Sequence, residues 1–142
     1  MADKQKVLFL CTGNSCRSQM AEGIARKLYS EQLLIESAGI EKHGMNPYAI
    51  KVMEEIGIDI SSHFSKTLDE TGTDFDCVIT VCDHAKESCP EFNEQTNIVH
   101  FPFPDPPKLA LKKENDDEKL NCYRGVRDEI YDKMNEVIAA IV

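Results

Sequence analysis

No stretch of this chain stays apolar for the ~20 residues that a membrane-spanning helix needs. The N-terminal MADKQKVLFLC has an apolar core too short for a secretory leader and lacks a small-residue cleavage site. Basic residues are few: 16 Lys and Arg face 25 Asp and Glu, a net charge of −9, and the isoelectric point is near 4.9. That balance argues against nucleic acid or an anionic membrane as the main partner. Together these absences point to a cytoplasmic protein. Internal repeats, low-complexity tracts and interdomain linkers are missing too, so residues 1–142 read as one domain. What is present suffices for a folded core, with 42% hydrophobic and 29% charged residues. There are also six cysteines, at 11, 16, 77, 82, 89 and 122. In a cytosolic chain of this length they suit catalysis, redox work or metal binding better than a disulfide framework.

Along the chain, Val7-Leu8-Phe9-Leu10 reads as a buried strand running into a Cys/Gly/Asn/Ser loop. Met20, Ala21, Ile24, Ala25 and Leu28 then recur at helical spacing, with Ser18 as the expected N-cap. Leu33 to Ser37 is a second strand, closed by Ala38-Gly39, and Pro47 opens a helix that Gly57 stops. Cys77 to Val81 is β-branched and central, and Ile98 to Phe101 gives a fourth strand. Prolines at 102, 104, 106 and 107 predict a stiff extended loop without helix, and 108–121 reads as a solvated insertion. Val126, Ile130, Met134, Val137 and Ile141 mark a final amphipathic helix. Alternating strands and helices imply an α/β fold: a four-stranded parallel sheet with helices on both faces.

Ligands of open parallel sheets bind beyond the carboxyl ends of the strands, where Cys11-Thr12-Gly13-Asn14-Ser15-Cys16-Arg17-Ser18 sits. Gly, Asn and Ser allow a tight turn whose N–H groups converge on an anion at a helix N-terminus. Arg17 can add a bidentate grip on a tetrahedral oxyanion. A cysteine in that field has its thiolate favoured below the ~8.5 of a free thiol, which makes Cys11 the expected nucleophile. Ser18 is expected to donate to that sulfur. The Cys16 side chain reads as structural, and Cys77 as core.

The same residues resemble a known family. Cys11 to Glu22, CTGNSCRSQMAE, is similar to the phosphate-binding loop of the low-molecular-weight protein tyrosine phosphatase superfamily, and more closely to that of the arsenate reductases built on that fold. Ser37-Ala38-Gly39, His43-Gly44-Met45-Asn46-Pro47, Asp59-Ile60-Ser61 and Val126-Arg127-Asp128-Glu129-Ile130 also match those reductases, so the resemblance spans nearly the whole chain outside 108–121. Phosphatases usually carry Pro after the loop's Arg-Ser, and Gln19 is the reductase choice. They also carry an aromatic after the Asp-Pro that follows the fourth strand, where this chain has Pro107. The resemblance implies an oxyanion site formed by Thr12, Gly13, Asn14, Ser15, Cys16, Arg17 and Ser18, with Asp105 as general acid.

A phosphatase has no use for Cys82 and Cys89, whereas a reductase needs a second thiol to take the oxidised sulfur and a third to carry the disulfide outwards. Cys82 follows the third strand, so topology brings it to the sheet edge of Cys11. The resemblance implies a relay: Cys11 attacks arsenate, Cys82 attacks Cys11 and releases arsenite, and Cys89 attacks Cys82 to leave a disulfide that thioredoxin reduces. In a continuous helix Cys82 and Cys89 would lie ~10.5 Å apart, beyond the ~7 Å a disulfide tolerates. A redox-switched segment at 82–90, limited by Pro90, is therefore expected. No metal, flavin or other cofactor is called for. Cys82, His84, Cys89 and His100 are all zinc-ligand types, but their spacing matches no compact finger.

Some reductases of the family hold potassium beside the loop through Asn, Glu, Ser and Asp. Asn14, Glu22 and Ser37 fit those positions, and Lys66 stands where the Asp would be, so its ammonium replaces the cation. His43 and His63 read as loop-anchoring residues. The expected protein is a monomeric cytoplasmic arsenate reductase with arsenate or phosphate and thioredoxin as partners and a weak side phosphatase activity. The alternatives are a low-molecular-weight phosphatase acting on phosphate monoesters and a non-catalytic oxyanion or redox sensor.

Overall fold

The computed structural model describes residues 4–83, 85, 91–92 and 94–141. The apolar run of the first strand, β1 (Gln5–Cys11), is buried without alternation from Val7 onward, the pattern of a strand covered on both faces. It pairs in parallel with β2 (Leu33–Gly39) on one side and β3 (Cys77–Thr80) on the other, and β3 pairs in parallel with β4 (Asn97–His100). The sheet order is β2-β1-β3-β4. The register sets Cys11 opposite Gly39 and Leu10 opposite Thr80, so the carboxyl ends of the two central strands and β2 share one edge.

Among the described residues, the helices with both ends placed are α1 (Arg17–Tyr29), α2 (Pro47–Glu54), a one-turn α3 (Leu68–Thr71), α4 (Pro106–Ala110) and α5 (Asp116–Ala139). The apolar stripe of α5 packs against α1, α2 and α4. Met20, Ala21, Ile24, Ala25, Val52, Met53, Val126, Ile130, Met134 and Val137 are all buried. Asn46 caps α2, its Oδ1 accepting from the N–H groups of Tyr48 and Ala49, with Pro47 at the first helical position.

Four sequence expectations change. Ser18 is not the cap of α1: Cys16 holds that place without a side-chain cap bond, and Ser18 is buried inside the first turn. Leu28, on the same helix, is 37% exposed and lies at the margin of the core. The prolines of 102–107 do not exclude helix, because Pro106 and Pro107 open α4, where the first N–H groups have no intrahelical acceptor to lose. Nor is 108–121 a solvated insertion throughout. Ala110 and Leu120 are buried, and Asp116-Asp117-Glu118 forms the first turn of α5, capped by Asn115 Oδ1 accepting from Glu118 N. Acidic side chains there complement the helix dipole.

Candidate functional site

The loop between β1 and α1 is held by its carbonyls. Cys11 O accepts from Ile40 N (3.1 Å), Thr12 O from Glu41 N (2.9 Å), Gly13 O from His43 N (3.0 Å) and Ser15 O from Asn46 N (3.1 Å). Asn14 O accepts from Ser65 Oγ (2.7 Å) and Gln19 Nε2 (3.2 Å). Asn14 itself sits at φ 50°, in the left-handed region that Asn tolerates. No described hydrogen bond is donated by a backbone N–H of residues 13–17, so the loop keeps a set of uncommitted donors at a helix N-terminus, the arrangement that holds tetrahedral anions. Two glycines are obligatory here. A β-carbon at Gly13 would run into the His43 ring, and one at Gly39 would lie 2.5 Å from Glu41 O and 2.8 Å from Asn14 N.

The loop rims a cavity of about 240 Å³, lined also by Arg17, His43, Asp105 and Pro107. Arg17 donates from Nη1 to Phe103 O (3.1 Å) and pairs through Nη2 with Asp105 Oδ2 (3.8 Å). Asp105 precedes α4 at its N-cap, yet its carboxylate makes no cap bond and faces Arg17 instead. Tyr123 lies nearby, accepting from Asn46 Nδ2 (2.9 Å) and stacked on Tyr48 at 5.2 Å. Burial pushes its hydroxyl up to about 12.

Cys11 and Cys82 are both buried and both reduced. Cys82 Sγ lies 3.3 Å from Thr12 Oγ1 and accepts from Ala85 N (3.4 Å). Its thiol is pushed down to about 5, first by the hydrogen bond from Cys11, then by those from Thr12 and Ala85, against its own burial. Cys11 moves the other way, raised by donating to Cys82 and by burial, with Arg17 opposing. The thiolate expected at Cys11 from the loop alone thus has a neighbour that acts against it, and the two sulfurs titrate as a coupled pair. The Ser18 hydroxyl accepts from Asn14 Nδ2 (2.9 Å), and no described bond joins it to Cys11. Cys16 is buried beside Arg17, and desolvation raises its thiol far above the ordinary range.

Behind the loop is a buried polar cluster. Asn14 Nδ2 donates to Ser37 Oγ (2.9 Å), which donates to Glu22 Oε1 (2.6 Å); Glu22 is only 2% exposed. Lys66 Nζ lies 3.8 Å from that carboxylate, Arg26 Nη2 3.3 Å and His63 Nδ1 3.6 Å. The four residues singled out for the cation position, Asn14, Glu22, Ser37 and Lys66, therefore do converge. His63 also meets Gln19 Oε1 at 3.0 Å, and burial lowers its pKa.

Cys11, Arg17, Asp105, Cys82 and residues 12–16 are thus assembled at one sheet edge, while Cys89, Pro90 and most of the 82–90 segment lie outside the described residues. Sequence reasoning had no signal for Phe103 as the Arg17 acceptor, because it serves through its backbone. The same holds for residues 40–46 as the straps of the loop. His43 was read as an anchor, and its ring in addition lines the cavity.

A cysteine-to-arginine loop at the carboxyl edge of a β2-β1-β3-β4 parallel sheet defines a phosphatase-like α/β protein. The chain belongs to the low molecular weight phosphotyrosine protein phosphatase family, whose pattern it matches over residues 6–141. Within that family it is 49% identical to the arsenate reductase of Halalkalibacterium halodurans, over 90% of this chain and 91% of that one. It is 43% identical to the arsenate reductase of Bacillus subtilis over 92% of each. A solved arsenate reductase in the phosphate binding state superposes with a TM-score of 0.75 at 34% identity, covering 97% of this chain and 99% of the other. No described helix is long and apolar enough to cross a membrane.

Proposed function

We propose that this protein reduces arsenate to arsenite by a three-cysteine relay regenerated by thioredoxin, in the cytoplasm and as a monomer. The observation that carries the reading is the second thiol: Cys82 Sγ lies 3.3 Å from Thr12 Oγ1 and is coupled to Cys11, whereas a hydrolase needs only Cys11, Arg17 and Asp105. The relatives named above support the same substrate, since they are arsenate reductases and one is solved in a phosphate binding state.

In the proposed reaction the loop N–H groups of residues 12–18 and Arg17 hold the oxyanion. Cys11 passes its proton to Cys82 and attacks arsenic, forming a sulfur–arsenic bond, while Asp105 protonates the departing oxygen, which leaves as water. Cys82 then attacks the sulfur of Cys11 and gives its proton to an arsenic oxygen. The sulfur–sulfur bond forms, and the electron pair of the broken sulfur–arsenic bond stays on arsenic, which leaves as arsenite. Cys89 attacks Cys82 and frees Cys11, and thioredoxin reduces the Cys82–Cys89 disulfide with two electrons and two protons. Lys66 supplies the positive charge that a cation would bring to Glu22, so no metal is required.

The test is arsenate-dependent NADPH oxidation in the presence of thioredoxin and thioredoxin reductase, with wild type beside Cys89→Ser. Turnover that collapses in the variant supports the relay. Equal turnover in both keeps the reductase and removes Cys89. Hydrolysis of aryl phosphate with no arsenate turnover moves the protein to the phosphatase reading. Weak phosphatase activity is expected in any case, because phosphate and arsenate are near-isosteric and Cys11, Arg17 and Asp105 serve both.

A further inference from the structure

Cys82 lies just past the end of β3, and the next residue is tied sideways to the neighbouring strand. Asp83 Oδ1 is 3.0 Å from His100 Nε2, and the other ring nitrogen of His100 is 2.7 Å from Thr80 Oγ1. Thr80 and His100 are register partners at the ends of β3 and β4, so the ring spans the sheet edge beside the site. A carboxylate only accepts, which makes Nε2 the donor. Thr80 suits the ring in either protonation state: its hydroxyl donates to a neutral Nδ1, or accepts from a protonated one and donates to Val99 O at 3.5 Å. The tie therefore holds whatever the charge on the imidazole.

The side chain of Asp83 is 83% exposed, so this contact is not a requirement of the core. Its effect falls on the adjacent Cys82, whose sulfur must remain within reach of Thr12 and Cys11 in the first disulfide step and must leave that place in the second. We propose that His100 is a positioning residue for the reaction: by clamping Asp83 to the sheet edge it keeps Cys82 against Cys11 until arsenite has been released. The inference rests on the reading of Cys82 as the thiol that attacks Cys11.

The experiment is a single turnover at saturating arsenate without thioredoxin, with arsenite release followed by rapid quenching. His100→Ala and Asp83→Ala are each expected to slow release about three- to fivefold, the effect of losing one partly exposed ion pair. Their combination should be no slower than either alone, and the half-saturating arsenate concentration should not change. His100→Gln, whose amide N–H can still donate to Asp83, should recover most of the rate. Wild-type rates in both single variants, or losses that add in the double, overturn the proposal. Should His100→Ala fail to fold, Asp83→Ala decides alone. Absence of arsenite from wild type overturns the reductase reading and this inference with it, and that outcome is legible before any variant is compared.

Discussion

Two interacting thiols titrate as a pair. At this site Cys82 is pulled down by Cys11, Thr12 and Ala85 N, whereas Cys11 is raised by Cys82 and by burial, with the Arg17 charge and a single backbone N–H opposing. Removing Cys82 deletes the largest influence raising the Cys11 thiol, so in Cys82→Ala the Cys11 titration should move down. Absorbance of the thiolate near 240 nm, followed with pH, measures this, and an upward or absent shift would contradict the pairing. The same variant should lose multi-turnover arsenate reduction and keep phosphate monoester hydrolysis. Lys66 permits a second test at this scale. Its ammonium lies 3.8 Å from the buried Glu22 carboxylate, beside Arg26 Nη2 at 3.3 Å, and Lys66→Asp should make activity depend on potassium. A variant indifferent to potassium would remove the role of stand-in cation from Lys66.

At the scale of single elements, α2 gives the simplest measurement. Asn46→Ala deletes the cap bonds to Tyr48 and Ala49 and the donor to Tyr123, at a cost of about 1 kcal/mol. The melting temperature should fall by roughly 3–5 °C, with the backbone bond to Ser15 O intact. How far such elements could be read from the sequence depended on what sets them. The four strands and the α1 and α5 stripes were legible, because burial on both faces or on one stripe leaves an apolar pattern. The start of α1 and the existence of α4 were not. Ser18 faces inward to Asn14 instead of capping, and paired prolines that forbid a helix interior are acceptable in its first turn. The site followed the same division. Cys11, Arg17 and Cys82 were singled out from residue type and topology and Asp105 from the family resemblance, whereas the coupling of the two sulfurs depends on distances that spacing does not encode.

Across the whole molecule, Glu55 joins the end of α2 to α5. Its carboxylate receives Arg124 through Nε (2.9 Å) and Nη2 (2.7 Å), and Arg127 through Nη1 (2.8 Å), while Arg127 Nη1 also reaches Val52 O. These cations, Arg124 first, hold the Glu55 carboxyl down at about 2. The unfolded chain releases that proton near ~4.3, so the pairing stabilises the fold above that pH. The contribution fades as pH falls toward the folded value. Urea midpoints should therefore drop between pH 6 and pH 3, and Glu55→Gln should be less stable at pH 6 yet show a smaller drop. An identical pH dependence in the variant would assign the acid loss to other carboxylates.

The carbonyls of Cys11, Thr12, Gly13 and Ser15 are held by four main-chain N–H groups at 40, 41, 43 and 46. A main-chain donor is indifferent to the letter it carries, with one exception, since proline has none. In a saturation scan of positions 40, 41 and 46, the loss of anion affinity should concentrate in the proline column, while other exchanges, as at Asn46, affect melting more than binding; at His43, whose ring lines the cavity, other exchanges should reach binding as well. The four amide protons should be among the slowest to exchange with solvent. Their protection would report the integrity of the anion loop from a segment about 30 residues away in the chain. Exchanges along that segment are thus expected to be limited by backbone chemistry more than by side-chain identity, so that the hold on the loop outlasts change in most of the residues that maintain it.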